Sequence, residues 1–136
     1  MPDTQRVLQS LTDRAVADLA ANPRLARDLM SPGSYAQLRN GTGLADASYG
    51  KAVERLVARY VQEDELLSSI LRHTGRSRGP NGRFISSPDF IGKEAYNLRL
   101  LDITTQDAIP RHLSRPGFGR SSEFVIHPGK GTTQFP

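Results

Sequence analysis

The sequence predicts an α+β domain in which helices come first and a small sheet follows. Two observations carry that prediction. Apolar residues recur at helical spacing up to about residue 74, and beyond a glycine-rich basic connector the apolar runs become short and rich in strand-forming residues. A third observation sets the scale: 136 residues suffice for one domain, and 37% hydrophobic composition without tryptophan gives it a lean core.

The elements follow in order. Leu8, Leu11, Ala15 and Leu19 stand at three- and four-residue steps with charged residues between them, the pattern of a helix with one buried face. Asn22-Pro23 reads as the N-cap and first residue of a short helix through Met30, stopped by Ser31-Pro32-Gly33. A further turn around Tyr35–Arg39 ends at Asn40-Gly41-Thr42-Gly43. From about Asp46 a strong helix carries Val53, Leu56, Val57 and Tyr60 on one face, and Glu63-Asp64-Glu65 opens a separate turn bearing Leu66, Leu67, Ile70 and Leu71. After the connector from Gly75 to Gly82, Arg83–Ser86 is a short strand and Leu98–Thr105 the principal one. Gln106–Leu113 reads as a helix interrupted by Pro110, and Glu123–His127 as the last strand. The glycine- and threonine-rich end, Pro128 to Pro136, reads as a poorly ordered tail.

Composition excludes several chemistries. No apolar run approaches the ~18 residues of a membrane-spanning helix. With no cysteine there is no disulfide, no thiolate metal site and no cysteine nucleophile. Three histidines are too few for an all-histidine zinc site. Charge is unevenly divided: residues 1–71 hold eight Lys/Arg against nine Asp/Glu, a net of −1, and residues 72–136 hold ten against five, a net of +5. A basic half attracts anionic ligands such as nucleic acid, or an acidic protein partner.

Three acids stand out by position. Glu54 lies at the flank of the apolar stripe of its helix, away from Arg55 and Arg59, so it looks toward a neighbouring element. Its plain alternative is a surface carboxylate paired with an arginine. Asp89 sits between the constraint of Pro88 and the apolar pair Phe90-Ile91, where an ordinary turn aspartate would also fit. Asp102 interrupts an apolar strand, where a charge costs stability unless it is paired or binds a cation, and it shares a sheet face with Thr104. One acid from a helix and two from extended segments could supply the oxygens that a hard divalent cation takes, and such a cation polarises phosphodiesters. His112, ten residues beyond Asp102, is a candidate acid, base or phosphate contact. His73 and His127 have weaker cases, each near an element's end. Arg83, Lys93, Arg111, Arg115 and Arg120 are the candidates for holding phosphates.

Together the run Tyr49-Gly50-Lys51-Ala52-Val53-Glu54, then Ser87-Pro88-Asp89-Phe90, then Leu101-Asp102-Ile103-Thr104-Thr105, with His112 and Arg115 following, resembles the restriction-endonuclease-like, or PD-(D/E)XK, nucleases. It looks most like the variants found as C-terminal domains of bacterial polymorphic and contact-dependent secreted toxins. The resemblance spans residues 46–127, leaving 1–45 as a helical brace and 128–136 as the tail of one domain. It implies a central mixed sheet flanked by helices and metal-dependent endonuclease activity. Glu54, Asp89 and Asp102 would be the catalytic, metal-binding acids, with Mg2+ ahead of Mn2+ and Zn2+. Thr104 departs from the pattern, standing where a lysine usually does, and Lys93, His112 and Arg115 are candidates to replace it. The resemblance further implies secretion within a longer toxin, action in a target cell's cytoplasm, and an acidic immunity protein as partner. DNA is the favoured substrate, with transfer RNA next. A non-catalytic nucleic-acid-binding domain remains an alternative, as does an ADP-ribosyltransferase using Glu123.

Overall fold

The structure is a computed structural model that describes residues 3–41, 45–73, 77–78, 84–85, 90–93, 98–106, 109–110, 122–131 and 134–136. Five helices, α1 (Asp3–Ala21), α2 (Leu25–Leu29), α3 (Pro32–Asn40), α4 (Ala45–Glu63) and α5 (Glu65–Ile70), precede all the strands, β1 (Leu71–His73), β2 (Ser77–Arg78), β3 (Phe84–Ile85), β4 (Phe90–Lys93), β5 (Leu98–Thr104) and β6 (Ser122–Ile126). The α+β class therefore holds, with α1–α5 ahead of the sheet; residues 109–110, between β5 and β6, are helical too, and of the expected helix Gln106–Leu113 residues 107–108 and 111–113 lie outside the described residues.

The helical pattern reads through directly. Leu8, Ala15 and Leu19 of α1 are fully buried, as are Ala52, Val53 and Val57 of α4. At about 1.5–3 kcal/mol for each fully buried leucine or valine, this contact outweighs any single polar interaction nearby. Tyr60 donates its hydroxyl to Asp18 and lies under the Arg14 guanidinium, 4.1 Å from the ring centre, which ties the two long helices together at one end. Burial and the Asp18 carboxylate push the Tyr60 phenol upward.

Two boundaries differ from the sequence expectation. Ser31 does not stop a helix but starts one: its hydroxyl accepts from the Ser34 N–H at 3.3 Å and Pro32 takes the first helical position. Asn22-Pro23 instead forms a tight turn whose carbonyls accept from Leu25 and Ala26, so α2 begins later and is shorter. Gly41, in the left-handed region at φ 68°, ends α3 as its sequence suggests. Asp64 caps α5 by accepting from Leu67 N–H at 3.1 Å.

Four strands form one mixed sheet in the order β1-β4-β5-β6, while β2 and β3 pair separately. β4 lies antiparallel between β1 and β5, and β6 runs parallel to β5. Strands β1, β2 and β4 were not anticipated: β1 is only three residues long and continues directly from an apolar helix, and β2 lies within the expected connector Gly75 to Gly82, where it pairs with β3. Register sorts the side chains into two rows. Leu71, His73, Phe90, Leu101, Ile103 and Val125 occupy one row, and Asp102 and Thr104 stand in the other with Phe124 and Ile126. The first row faces the helices. A Cβ added at Gly92 would come within 2.8 Å of the Thr4 side chain on α1, so glycine is what lets α1 approach β4.

Helix α1 also covers the edge of the sheet. Gln9 donates to the Ile126 carbonyl at 3.0 Å and accepts from its N–H at 3.2 Å, and Gln5 donates to the Phe124 carbonyl at 3.1 Å. These amides do for β6 what a further strand would do, which removes a free edge. The tail corrects its expectation too. Phe135 is buried edge-on to Tyr49, with ring centres 6.3 Å apart, and Tyr35 donates its hydroxyl to the Pro136 carbonyl. No described helix is long and apolar enough to cross a membrane, and without cysteine there is no disulfide.

Candidate acid-base site

The middle of α4 packs apolar side chains inward, and Glu54 sits at the margin of that face. It is only 9% exposed. A carboxylate so placed must find partners, because desolvation otherwise favours its neutral form. It finds them on two elements. One oxygen lies 2.8 Å from His73 Nε2 at the end of β1, and the other 3.7 Å from Lys51 Nζ, one helical turn earlier. Sequence reasoning placed Glu54 beside a neighbouring element; the element is β1.

His73 is held on a second side. Its ring lies 5.1 Å from that of Phe90, its antiparallel partner on β4. The side chain keeps 27% of its surface exposed, while that of Glu54 keeps 12%. An ionised carboxylate only accepts, so the bond to Glu54 makes Nε2 the protonated nitrogen and leaves the Nδ1 lone pair on the other side of the ring. Lys51 and His73 are the residues that the sequence undervalued. The available signal was the alternation Leu71-Arg72-His73, which places Leu71 and His73 on one face of a strand.

Asp102 and Thr104 are 2% and 3% exposed and share one row of β5, as their spacing predicts. That row is the one opposite to His73, Phe90 and Leu101. Glu54 thus meets the sheet from one side, and Asp102 projects from the other. Asp89 lies outside the described residues; the residue after it, Phe90, pairs with Leu101, the residue before Asp102. His112, Arg83, Arg111, Arg115 and Arg120 also lie outside the described residues, and Lys93 is described only as backbone of β4. Among the described residues no three His, Asp or Glu side chains come together as a metal site would need. Of the three acids that the resemblance assigns to a cation site, Glu54 and Asp102 belong to opposite faces of the sheet, and Asp89 lies outside the described residues.

A second histidine meets α4 one turn nearer its start. His127 follows β6, is 4% exposed, and accepts at Nδ1 from the Gly129 N–H at 3.1 Å. Its ring packs 5.6 Å from Tyr49, and its Nε2 lies against Gly50, where an added Cβ would sit 3.5 Å away. Burial lowers its pKa, and the Asp46 carboxylate opposes that shift. Burial likewise raises the Tyr49 phenol. This histidine is enclosed and neutral, suited to packing rather than proton transfer.

Compared with family models, with curated proteins and with solved structures, the chain matches none.

Proposed function

We propose that this chain is a nuclease domain of the restriction-endonuclease-like class, carried on a secreted bacterial toxin and cleaving phosphodiester bonds of nucleic acid in the target cell's cytoplasm. The observation that carries the reading is Glu54, a carboxylate buried on the helix that precedes the mixed sheet and bonded at 2.8 Å to an exposed-edge histidine. Support comes also from the order helix, antiparallel β1-β4-β5, then parallel β6, which agrees with a central mixed sheet, and from Asp102 buried on its middle strand. The +5 balance of residues 72–136 favours a polyanionic substrate. The divalent cation, Mg2+ first, belongs to this reading through the resemblance alone.

The test is cleavage of plasmid DNA and of transfer RNA by the purified chain, with magnesium, manganese or zinc and with chelator. We expect one nucleic acid to be cut and Glu54→Gln to abolish the cutting. Both substrates remaining intact under every condition would overturn the reading. The same reading proposes an acidic immunity protein over the basic half. Charge reversals at Arg111 and Arg115 are expected to weaken that complex at least tenfold, as measured by calorimetric titration.

A further inference from the structure

We infer that His73 is a positioning residue for phosphodiester cleavage: it aims the Glu54 carboxylate from the sheet and touches no reacting atom itself. This rests on the nuclease reading above, in which Glu54 is the acid of the core helix, and it adds the residue that fixes where that acid points.

Glu54 needs aiming because of its own side chain. Glutamate turns about three torsions, the last of them broad, so a helix sets where the side chain starts and not where its oxygens end. Helix α4 supplies one partner, Lys51, a single turn earlier. That ammonium stands 3.7 Å from one oxygen, and its side chain is 41% exposed. A half-solvated ion pair at that distance holds a side chain weakly. Lys51 also shares the helix with Glu54, so it cannot fix the carboxylate relative to the sheet. The bond from His73 Nε2 to the other oxygen, at 2.8 Å, does both. It is a short bond to a charged acceptor, the stronger kind, and it comes from a different element, β1.

His73 is itself held. His73, Phe90 and Leu101 stand opposite one another across β1, β4 and β5. Phe90 and Leu101 have no exposed surface, and the Phe90 ring lies 5.1 Å from the imidazole. The imidazole therefore rests on a ladder that crosses three strands, and a side chain locked by packing is what a positioning role requires. Leu101 is the residue before Asp102, so the ladder ties the acid of α4 to the strand that carries the second buried acid. Glu54 gains from this a fixed place against the sheet that its helix alone does not give. Such placement matters because an error of about 1 Å at a reacting group can lower a rate about 100-fold.

Three substitutions separate aiming from packing. His73→Gln keeps an amide N–H near the place of Nε2 and takes the ring away from Phe90. His73→Phe keeps a ring against Phe90 and removes the donor. His73→Asn carries a donor too short to reach Glu54. The experiment measures steady-state cleavage of whichever nucleic acid the parent chain cuts, in its best metal, with a thermal melt of every variant. We expect His73→Phe and His73→Asn to lower kcat about 100-fold with KM for the nucleic acid within about twofold, and His73→Gln to keep about a tenth or more of the parental kcat. His73→Phe should do so with the melting temperature little changed, and His73→Gln should recover activity although its melting temperature is lower. A packing role would give the reverse ranking. His73→Phe as active as the parent, or His73→Gln as impaired as His73→Phe, would overturn the inference and leave the nuclease reading standing. A parent chain that cuts neither DNA nor transfer RNA in any metal would overturn both. The two variants without a reaching donor carry the same expectation, so the ranking does not depend on either one folding.

Discussion

Helix α4 meets the sheet at two histidines, and the contrast between them is instructive. At one end His127 is enclosed by Tyr49 and Gly50, holds its own loop by accepting from Gly129, and is pushed toward neutrality by burial. Near the middle His73 faces a carboxylate across 2.8 Å and keeps an open edge. Each stands at the end of a strand of the sheet, and both touch the same helix. What separates them is the residue that α4 presents: glycine at position 50 admits a ring into the packing, and glutamate at position 54 gives a ring a carboxylate to hydrogen-bond. One histidine meets a packed apolar face; the other meets a buried carboxylate and is, under the proposed reading, the one placed for chemistry.

The contrast can be broken at its strongest point first. His73→Ala is expected to lower nucleic-acid cleavage by about 100-fold or more while the melting temperature falls little. His127→Ala should do the reverse. A His73→Ala protein that keeps full activity would erase the distinction. Next in size, Gly92→Ala forces a methyl group to within 2.8 Å of the Thr4 side chain, between α1 and the sheet row that carries His73. We expect a loss of about 1–3 kcal/mol in urea unfolding, because the contact includes the Thr4 Cβ at 2.9 Å, which no side-chain rotation moves.

A pH series sharpens the comparison at His127. Its folded pKa lies below the ordinary value of 6.5, so between the two the unfolded chain binds more protons than the folded one. Its contribution to stability is therefore complete above about pH 6.5 and is lost as pH falls toward the lowered folded value. Thermal melts from pH 7.5 down to pH 5 should show that decline, and His127→Gln should flatten it. A variant declining as steeply as the parent would place the acid sensitivity elsewhere. The smallest expected effect is that of Lys51→Met. The pair with Glu54 is half-solvated at 3.7 Å, so stability should change by about 0.5 kcal/mol or less, with any activity loss exceeding what that figure predicts.

Legibility in the sequence followed locality. The apolar faces of α1 and α4, the break at Gly41, the new turn opened by Glu63-Asp64-Glu65, and the strands β5 and β6 were readable because each rests on residues a few positions apart. So was Glu54 as a carboxylate turned toward a neighbour, since a helical wheel fixes its direction. β1 and β4 were not readable, being three and four residues long and held by pairing with each other and with β5. The tail was misread for a related reason. Its glycines and threonines suggest a loose end, but one residue, Phe135, finds a place beside Tyr49.

By itself the sequence determined the class of the fold, the order of helices before strands, the absence of thiol chemistry, and the basic weighting of the later half. Each of these is a sum over residues or a period along the chain, and none needs a partner. Tertiary structure alone decided which side chains meet. His73 joins Glu54 across nineteen positions because β1 ends beside α4. Asp102 turns away because strand register allows only alternate residues to share a face, and no local pattern states which face the helix will cover.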